Sequence, residues 1–351
     1  MTTEKIFRVT MLPAAQGDAT WLTVGDTSGV HHILIDTGVI GTAPALAAHA
    51  LALRTEFNQP VVISLMVLSH IDADHIAGAP LFLSLLRELG ITVHALWYNG
   101  YHQVFGIKEK PADTLGAAIA EQVSAQARHL RIPINPGLAA DVALTTASSH
   151  SLAPADLPGV SITVLGPDPA RLRELKGAWS RNMRGTPGTE YEATYRRLES
   201  DKLGAGRTGT DTAPANGLSI VLLIEYAGTG LLMTGDAFAS DLLAALAALP
   251  AGRRRLIRYV KLPHHGSARN ICPELVEQLV ARHYLVSTNG ANGRHPDVGT
   301  IELIMARHPD ATFHFNYESP QKKIAAAIDG VRVGSRPDSS GLTLNLSPGP
   351  K

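Results

Sequence analysis

The chain has 351 residues, 45% hydrophobic and 18% charged, enough to bury a substantial core as one large α/β domain or two small ones. Its 31 Lys and Arg balance 31 Asp and Glu, which excludes a polyelectrolyte, so any affinity for nucleic acid must come from a local basic face. The single cysteine, Cys272, excludes an intramolecular disulfide and a cysteine metal cluster, leaving His and carboxylates as the available ligands.

The amino terminus, Met1-Thr2-Thr3-Glu4-Lys5, runs straight into a strand-like segment without the apolar region of a signal peptide. No uncharged stretch approaches the roughly eighteen apolar residues needed to span a bilayer, so the expected location is the cytoplasm, away from the membrane. Strand-like runs at 5–12, 18–24, 31–36 and 61–69 precede a helix-period segment at 77–90 that sets Leu81, Leu85, Leu86 and Leu89 on one face. After an apolar run from Ile91 to Trp97, a helix is expected from Pro111 to Leu130, then strands at Leu144–Ser149 and Val160–Leu165. The second half repeats the style, with strands at Leu218–Tyr226, Leu231–Asp236, 258–263 and 283–288 and helices at 239–249, 273–281 and 297–307. Periodicity alone gives an α/β protein.

Residues 166–216 break the pattern, with no apolar period and nine Lys or Arg against five Asp or Glu between Arg171 and Arg207. So long a loop usually serves as a lid or a binding loop, and a basic flap inserted into a single domain spanning 1–351 is the expectation. Tyr191 and Tyr195 are too few to form a stacking array for single-stranded nucleic acid. A second basic group, Arg253, Arg254, Arg255, Arg258 and Lys261, reads as a solvated turn.

The densest chemistry lies at 69–75, Ser-His-Ile-Asp-Ala-Asp-His, directly after the apolar run 61–68. A buried strand that stops at His70 delivers that side chain to the sheet edge, and the following turn folds back Asp72, Asp74 and His75. Carboxylates and imidazoles crowded into a partly buried place need cations to neutralise them. The heptapeptide reads as a metal site.

His-x-His-x-Asp-His is the signature of the metallo-β-lactamase superfamily, and here Asp72 stands at the second His. The resulting His-x-Asp-x-Asp-His resembles the variant in the soluble hydrolase domain of ComEC-type competence proteins. Further segments match in order: Gln16-Gly17-Asp18-Ala19, Ile35-Asp36-Thr37-Gly38, Asn216-Gly217-Leu218-Ser219 leading into Leu232-Met233-Thr234-Gly235-Asp236, Pro263-His264-His265-Gly266-Ser267, and Gly293-Arg294-His295-Pro296. The chain departs from the pattern at Ala79, where another Gly is usual, and at Ala14-Ala15, where Val-Gly is usual. The competence proteins are membrane channels, and their transport role is not carried over.

The resemblance implies a four-layer αββα sandwich with a long inserted loop. It implies two divalent metal ions, Zn or Mn, with a bridging hydroxide as nucleophile. Asp74, His75 and His265 would hold one ion, His70 and Asp72 the other, and Asp236 would bridge them. His265 is preferred to His264 as the last ligand, His264 then packing or meeting substrate. Asp36 would orient a ligand from behind, and Asp18 would support the metals or contact substrate. Asp74 and His295 are the expected catalytic residues, with His295 contacting phosphate or protonating the leaving group and Arg294 a further phosphate contact.

No His lies between His150 and Asp236, and His150, in a Thr- and Ser-rich stretch, is a poor ligand. The hard oxygen of Asp72 and the lack of that imidazole weaken one ion's site and tilt it toward Mn²⁺ or Mg²⁺ relative to an all-His pocket. Two divalent ions less Asp72, Asp74 and Asp236 leave a surplus of about one positive charge, which suits an anionic substrate. The expected activity is phosphodiester hydrolysis, as a phosphodiesterase or nuclease acting on DNA or a nucleotide. The alternatives are hydrolysis of a lactone, thioester or β-lactam, and a metal-poor binding or regulatory module.

Overall fold

A computed structural model of the chain describes residues 4–100, 103–104, 115–138, 142, 156–173, 209–291 and 295–346. The expected strand at Leu144–Ser149, His150, Arg294 and the middle of the basic loop, 174–208 with its two tyrosines, lie outside the described residues.

The alternating and continuous apolar runs build two sheets. The first contains β1 (Lys5–Met11), β2 (Thr20–Asp26), β3 (Gly29–Ile35), β4 (Val62–Leu68), β5 (Thr92–Val93), β6 (Leu96–Tyr98) and β14 (Leu342–Asn345). Its order is β14-β1-β2-β3-β4-β5, with β6 also on β4. The second contains β7 (Ser161–Gly166), β8 (Val221–Tyr226), β9 (Thr229–Met233), β10 (Ile257–Lys261), β11 (His283–Val286), β12 (Thr312–Phe315) and β13 (Arg332–Val333), paired in reverse chain order from β13 to β7.

One core layer holds Phe7, Val9, Leu22 and Ile33 of the first sheet against Ile162, Leu222, Leu231 and Leu285 of the second. A second layer packs Trp21, Leu34, Ile63 and Met66 under the helices Ala43–Phe57, Ala79–Leu89 and Leu115–Leu130. A third packs Leu223, Leu232, Val260 and Phe313 under the helices Ala239–Ala248, Pro273–Gln278, Val298–Arg307 and Glu318–Ala327. Each strand therefore turns alternate side chains to the facing sheet and to its helices, and the layers run αββα.

Several elements differ from the sequence reading. The helix expected at 77–90 is Ala79–Leu89, and a separate four-residue helix, Ala73–Ile76, precedes it. The buried face of the longer one is Ala79, Phe82, Leu83 and Leu86, so the expected face is rotated, with Leu81 in solvent. The helix Ala43–Phe57 has no counterpart in the expectations, because its seam is built largely from alanine: Ala43, Leu46, Ala50 and Leu53 are the residues it buries. The elements after residue 307 were also unanticipated, including β14, which returns to pair antiparallel with β1. Among the described residues no helix is long and apolar enough to cross a membrane.

Topology places the chemistry. β3 and β4 run parallel, as do β9, β10, β11 and β12, and their carboxyl ends open onto one edge of the sandwich. Loops at the carboxyl ends of parallel strands are where α/β proteins bind ligands.

Candidate metal centre

β4 ends at Leu68, and Ser69 and His70 follow as buried residues. The chain then turns at Asp72, which caps the four-residue helix carrying Asp74 and His75. Asp18 comes from the approach to β2, and Asp36 from the end of β3 in a left-handed conformation (φ 59°). Asp236 follows β9 across Gly235 (φ 51°), and His264 and His265 follow β10, also left-handed (φ 45° and 56°). Gly17 is required where it stands, because a Cβ there would lie 1.7 Å from the Asp74 carbonyl oxygen.

These turns converge. His75 Nε2 lies 3.4 Å from Asp236 Oδ1, and His265 Nε2 lies 3.5 Å from Asp74 Oδ2. His70 Nε2 is 3.8 Å from Asp72 Oδ2 and 3.9 Å from Asp236 Oδ2. His264 Nε2 and His265 Nε2 are 3.7 and 3.9 Å from that same Asp236 oxygen. Within this assembly His70, His75 and Asp236 form one group of mutually close ligand atoms, and Asp74, His75 and His265 another.

The outer ring nitrogens are held from behind. His75 Nδ1 lies 2.9 Å from Asp36 Oδ2, and Asp36 in turn accepts from Ser69 N–H and Ser69 Oγ, both at 2.7 Å. His265 Nδ1 donates to the Ser287 carbonyl at 2.9 Å, and His70 Nδ1 meets Ser69 Oγ at 3.0 Å. Such contacts fix tautomer and ring direction in metal-binding histidines.

The inner atoms tell the complementary story. His70 Nε2, His75 Nε2, His265 Nε2 and Asp236 Oδ1 are buried without a hydrogen-bond partner, a condition that costs free energy unless another group satisfies them. Burial works against a charged His75, yet the carboxylates of Asp236, Asp36 and Asp74 outweigh it and hold the imidazole well above its ordinary range. His265, buried but facing Asp236 and Asp18, is raised to about 9. Burial opposes ionisation of Asp236 too, and the imidazoles of His264, His75 and His265 reverse it, keeping the carboxyl well below the usual range. The cluster demands positive charge at its centre, and a divalent cation fits that demand and the orphaned donor atoms together.

Residues absent from the expected set complete the surroundings. Lys261, assigned above to a solvated basic turn, is fully buried at the end of β10, with Nζ 2.7 Å from Asp18 Oδ2. The correction has a simple cause: Lys261 belongs to the strand and meets a carboxylate brought from 243 residues earlier in the chain, which spacing does not reveal. Asp18 also stands 3.3 Å from His265 Nδ1, so it supports the centre from behind. Asp211, Asn216 and Asn270 surround His264 Nδ1, with Asp211 Oδ2 and Asn270 Oδ1 each at 3.1 Å. His295 stands at the mouth, its ring centre 5.3 Å from that of His264, and burial pushes its imidazole down to about 4.

An αββα sandwich with imidazoles and carboxylates gathered at its strand ends defines the class of hydrolytic metalloproteins. Residues 16–270 match the metallo-beta-lactamase superfamily, and the chain belongs to that family. Among solved structures it is similar to the metallo-beta-lactamase fold protein YhfI from Bacillus subtilis, at 10% identity over 97% of this chain and 99% of that one, with a TM-score of 0.44. It is also similar to a mutant of the CmlA beta-hydroxylase, at 10% identity over 99% of this chain and 55% of that one, with a TM-score of 0.40. No curated protein matches the chain.

Proposed function

We propose that the chain is a metal-dependent phosphodiesterase or nuclease holding two divalent ions, Zn or Mn, at the strand-end cluster. The observation that carries this reading is the set of buried, unpartnered atoms aimed at one another, His70 Nε2, His75 Nε2, His265 Nε2 and Asp236 Oδ1. Asp74, His75 and His265 are assigned to one ion, His70 and Asp72 to the other, and Asp236 to both. Divalent ions held by these residues would supply Lewis-acid activation of water and of a phosphoryl oxygen.

The chain's own residues supply positioning. Asp36 holds His75 and is itself held by Ser69, the Ser287 carbonyl holds His265, and Lys261 balances the charge of Asp18. The side chains of Asp72, Asp74, His264 and His295 are each 20–27% exposed and form the open side toward substrate. His295, kept neutral by its depressed pKa, is assigned to contact the departing oxygen through a ring N–H, a state that does not suit it to protonate that oxygen as the sequence suggested.

A polar substrate is supported by a cleft of about 440 Å³ lined by Arg171, Arg269, Asp211, Thr210, Thr212 and Ser240, in which Arg171 is paired with Asp241 at 2.8 Å. There Arg269 donates to the Thr210 carbonyl at 2.9 Å, and the Arg171 guanidinium lies over the Phe238 ring, 4.7 Å from its centre. DNA or a nucleotide fits this polar lining better than the apolar acyl group of a lactone, thioester or β-lactam. The resemblance to ComEC-type hydrolases points the same way.

The test is metal analysis coupled to hydrolysis of a generic phosphodiester and of single-stranded DNA, comparing the parent with Asp74→Ala. The expected outcome is a parent with bound ions and activity, and a variant that loses an ion and at least 100-fold in rate. Lactone opening by a parent inert toward phosphodiesters would overturn the reading.

A further inference from the structure

Residues 12–18 join β1 to β2 in the first sheet, yet they are fastened to the residues that follow β11 and β12 in the second. Asn316 Nδ2 donates to the Leu12 carbonyl at 2.9 Å, and Ser287 Oγ donates to the Gly17 carbonyl at 2.9 Å. Between them, Ala15 N–H donates to Tyr317 Oη at 2.8 Å, and the Ala15 carbonyl accepts from Asn289 N–H at 2.8 Å. Ala15 itself is left-handed (φ 56°), a conformation that a residue with a Cβ keeps only where its surroundings hold it.

Asn316 is buried, and its Oδ1 accepts from Thr288 N–H at 3.0 Å, which fixes the direction of its amide. The two hydrogens of Nδ2 then go to the Leu12 carbonyl and, at 3.1 Å, to Ser287 Oγ. The Gly17 carbonyl can only accept, so Ser287 Oγ receives one bond and gives the other. This directed chain, from Asn316 through Ser287 to Gly17, meets the metal centre on two sides. The Ser287 carbonyl accepts from His265 Nδ1 at 2.9 Å, so that nitrogen carries a proton whatever Nε2 holds. Beside Gly17, Asp18 N–H donates to the Asp74 carbonyl at 3.2 Å, and Asp18 Oδ1 faces His265 Nδ1 at 3.3 Å. His265 follows a strand of the second sheet and Asp74 a strand of the first, with His265 Nε2 3.5 Å from Asp74 Oδ2. The two share one group of mutually close ligand atoms with His75.

We infer that Asn316 and Ser287 are positioning residues of the centre: as one hydrogen-bonded strap they fasten the 12–18 turn of the first sheet to the second, and so keep His265 and Asp74 facing a shared ion. The inference rests on the metal centre proposed above, but on neither its substrate nor the number of its ions. Both residues act through the main chain, the Ser287 carbonyl on His265 and the Gly17–Asp18 peptide on Asp74. Such supports behind a ligand are worth a large part of its affinity for metal.

The experiment uses the full chain and its variants Asn316→Ala, Asn316→Asp, Ser287→Ala, the double variant of Asn316→Ala with Ser287→Ala, and Leu46→Ala as a control for lost stability. Each is stripped with a chelator and titrated with Zn²⁺ alone, with affinity read by competition with an indicator and the fold confirmed by circular dichroism. The parent is expected to bind Zn²⁺, and Asn316→Ala and Ser287→Ala to bind it about 10- to 100-fold more weakly. Asn316→Asp, which keeps the shape but replaces the donor with an oxygen, is expected to match Asn316→Ala. The double variant should lose no more than the worse single one, because both substitutions cut the same strap. Leu46→Ala, which empties part of the core under the helix Ala43–Phe57, should keep parental affinity. Parental affinity in Asn316→Ala and Ser287→Ala overturns the inference while leaving the proposed function standing. A loss in Leu46→Ala equal to theirs, or losses that multiply in the double variant, overturns it too. A parent that binds no Zn²⁺ overturns the inference and the metal centre together. Should the Asn316 variants fail to fold, Ser287→Ala decides by the same comparison with Leu46→Ala.

Discussion

Asp18 meets a lysine on one oxygen and approaches an imidazole on the other, with every partner removed from solvent. Burying an ammonium is costly, and Lys261 is kept at 0% exposure by the Asp18 carboxylate at 2.7 Å and the Leu262 carbonyl at 3.0 Å. Removing one member strands the other. Lys261→Met is therefore expected to cost about 3–5 kcal/mol of unfolding free energy, measured by urea titration, and adding Asp18→Asn to it should return most of that loss. A double variant no better than the single would show that the pair is not coupled. At this scale the sequence disclosed contiguous chemistry and little else: His70, Asp72, Asp74 and His75 stand within six positions, so their convergence could be read directly. Lys261, Asp211, Ser287 and Asn270 gain their roles from partners far along the chain, and no local spacing announces them.

At the scale of elements, strands were legible because β4 and β8 are runs of branched and apolar residues bounded by turn residues. The helix Ala43–Phe57 was not, since alanines at Ala43 and Ala50 carry half of its buried face and provide little contrast with the alanines outside it. Its contribution still rests on a few larger side chains. Leu46 is fully buried and Leu51 is 42% exposed, so Leu46→Ala is expected to cost about 2–5 kcal/mol and Leu51→Ala less than about 0.5 kcal/mol. Denaturant midpoints of the two variants check the contrast, and equal shifts would mean that the helix does not pack as described. The end of the long 166–216 segment holds contacts that its composition does not announce. Its polar residues signalled a loop, yet Asp211 and Asn216 are polar because they bond one another and the surroundings of His264.

Across the whole molecule, several histidines away from the metal centre are held neutral. Burial, then the neighbouring His49, His31 and Arg8, push His32 down to about 3. Burial, chiefly, pushes His49 and His314 to about 4. Unfolded, each would titrate near 6.5, so as pH falls below that value the unfolded chain takes up protons that the folded chain refuses. Stability is thus retained above about pH 6.5 and declines between there and about pH 4, by up to about 1.4 kcal/mol per pH unit for each histidine. Urea midpoints measured from pH 7 to pH 4.5 should fall, and His32→Gln should flatten the slope. An unchanged slope would remove His32 from the account.

The main chain of Ser69, at the end of β4, accepts from Ile220 N–H at 2.8 Å, just before β8, while Ser219 Oγ takes the Asp236 N–H at 2.9 Å. The ligand set is consequently divided, with His70, Asp72, Asp74 and His75 on one sheet and Asp236, His264 and His265 on the other. Neither half can set the distance between them. That distance is the thickness of the apolar layer joining the sheets, so side chains such as Leu65, Val67, Leu222 and Leu231, none of which touches a ligand atom in the contacts above, act as the gauge blocks of the centre. A substitution that swells or thins this layer would detune the site while leaving every ligand in the sequence intact.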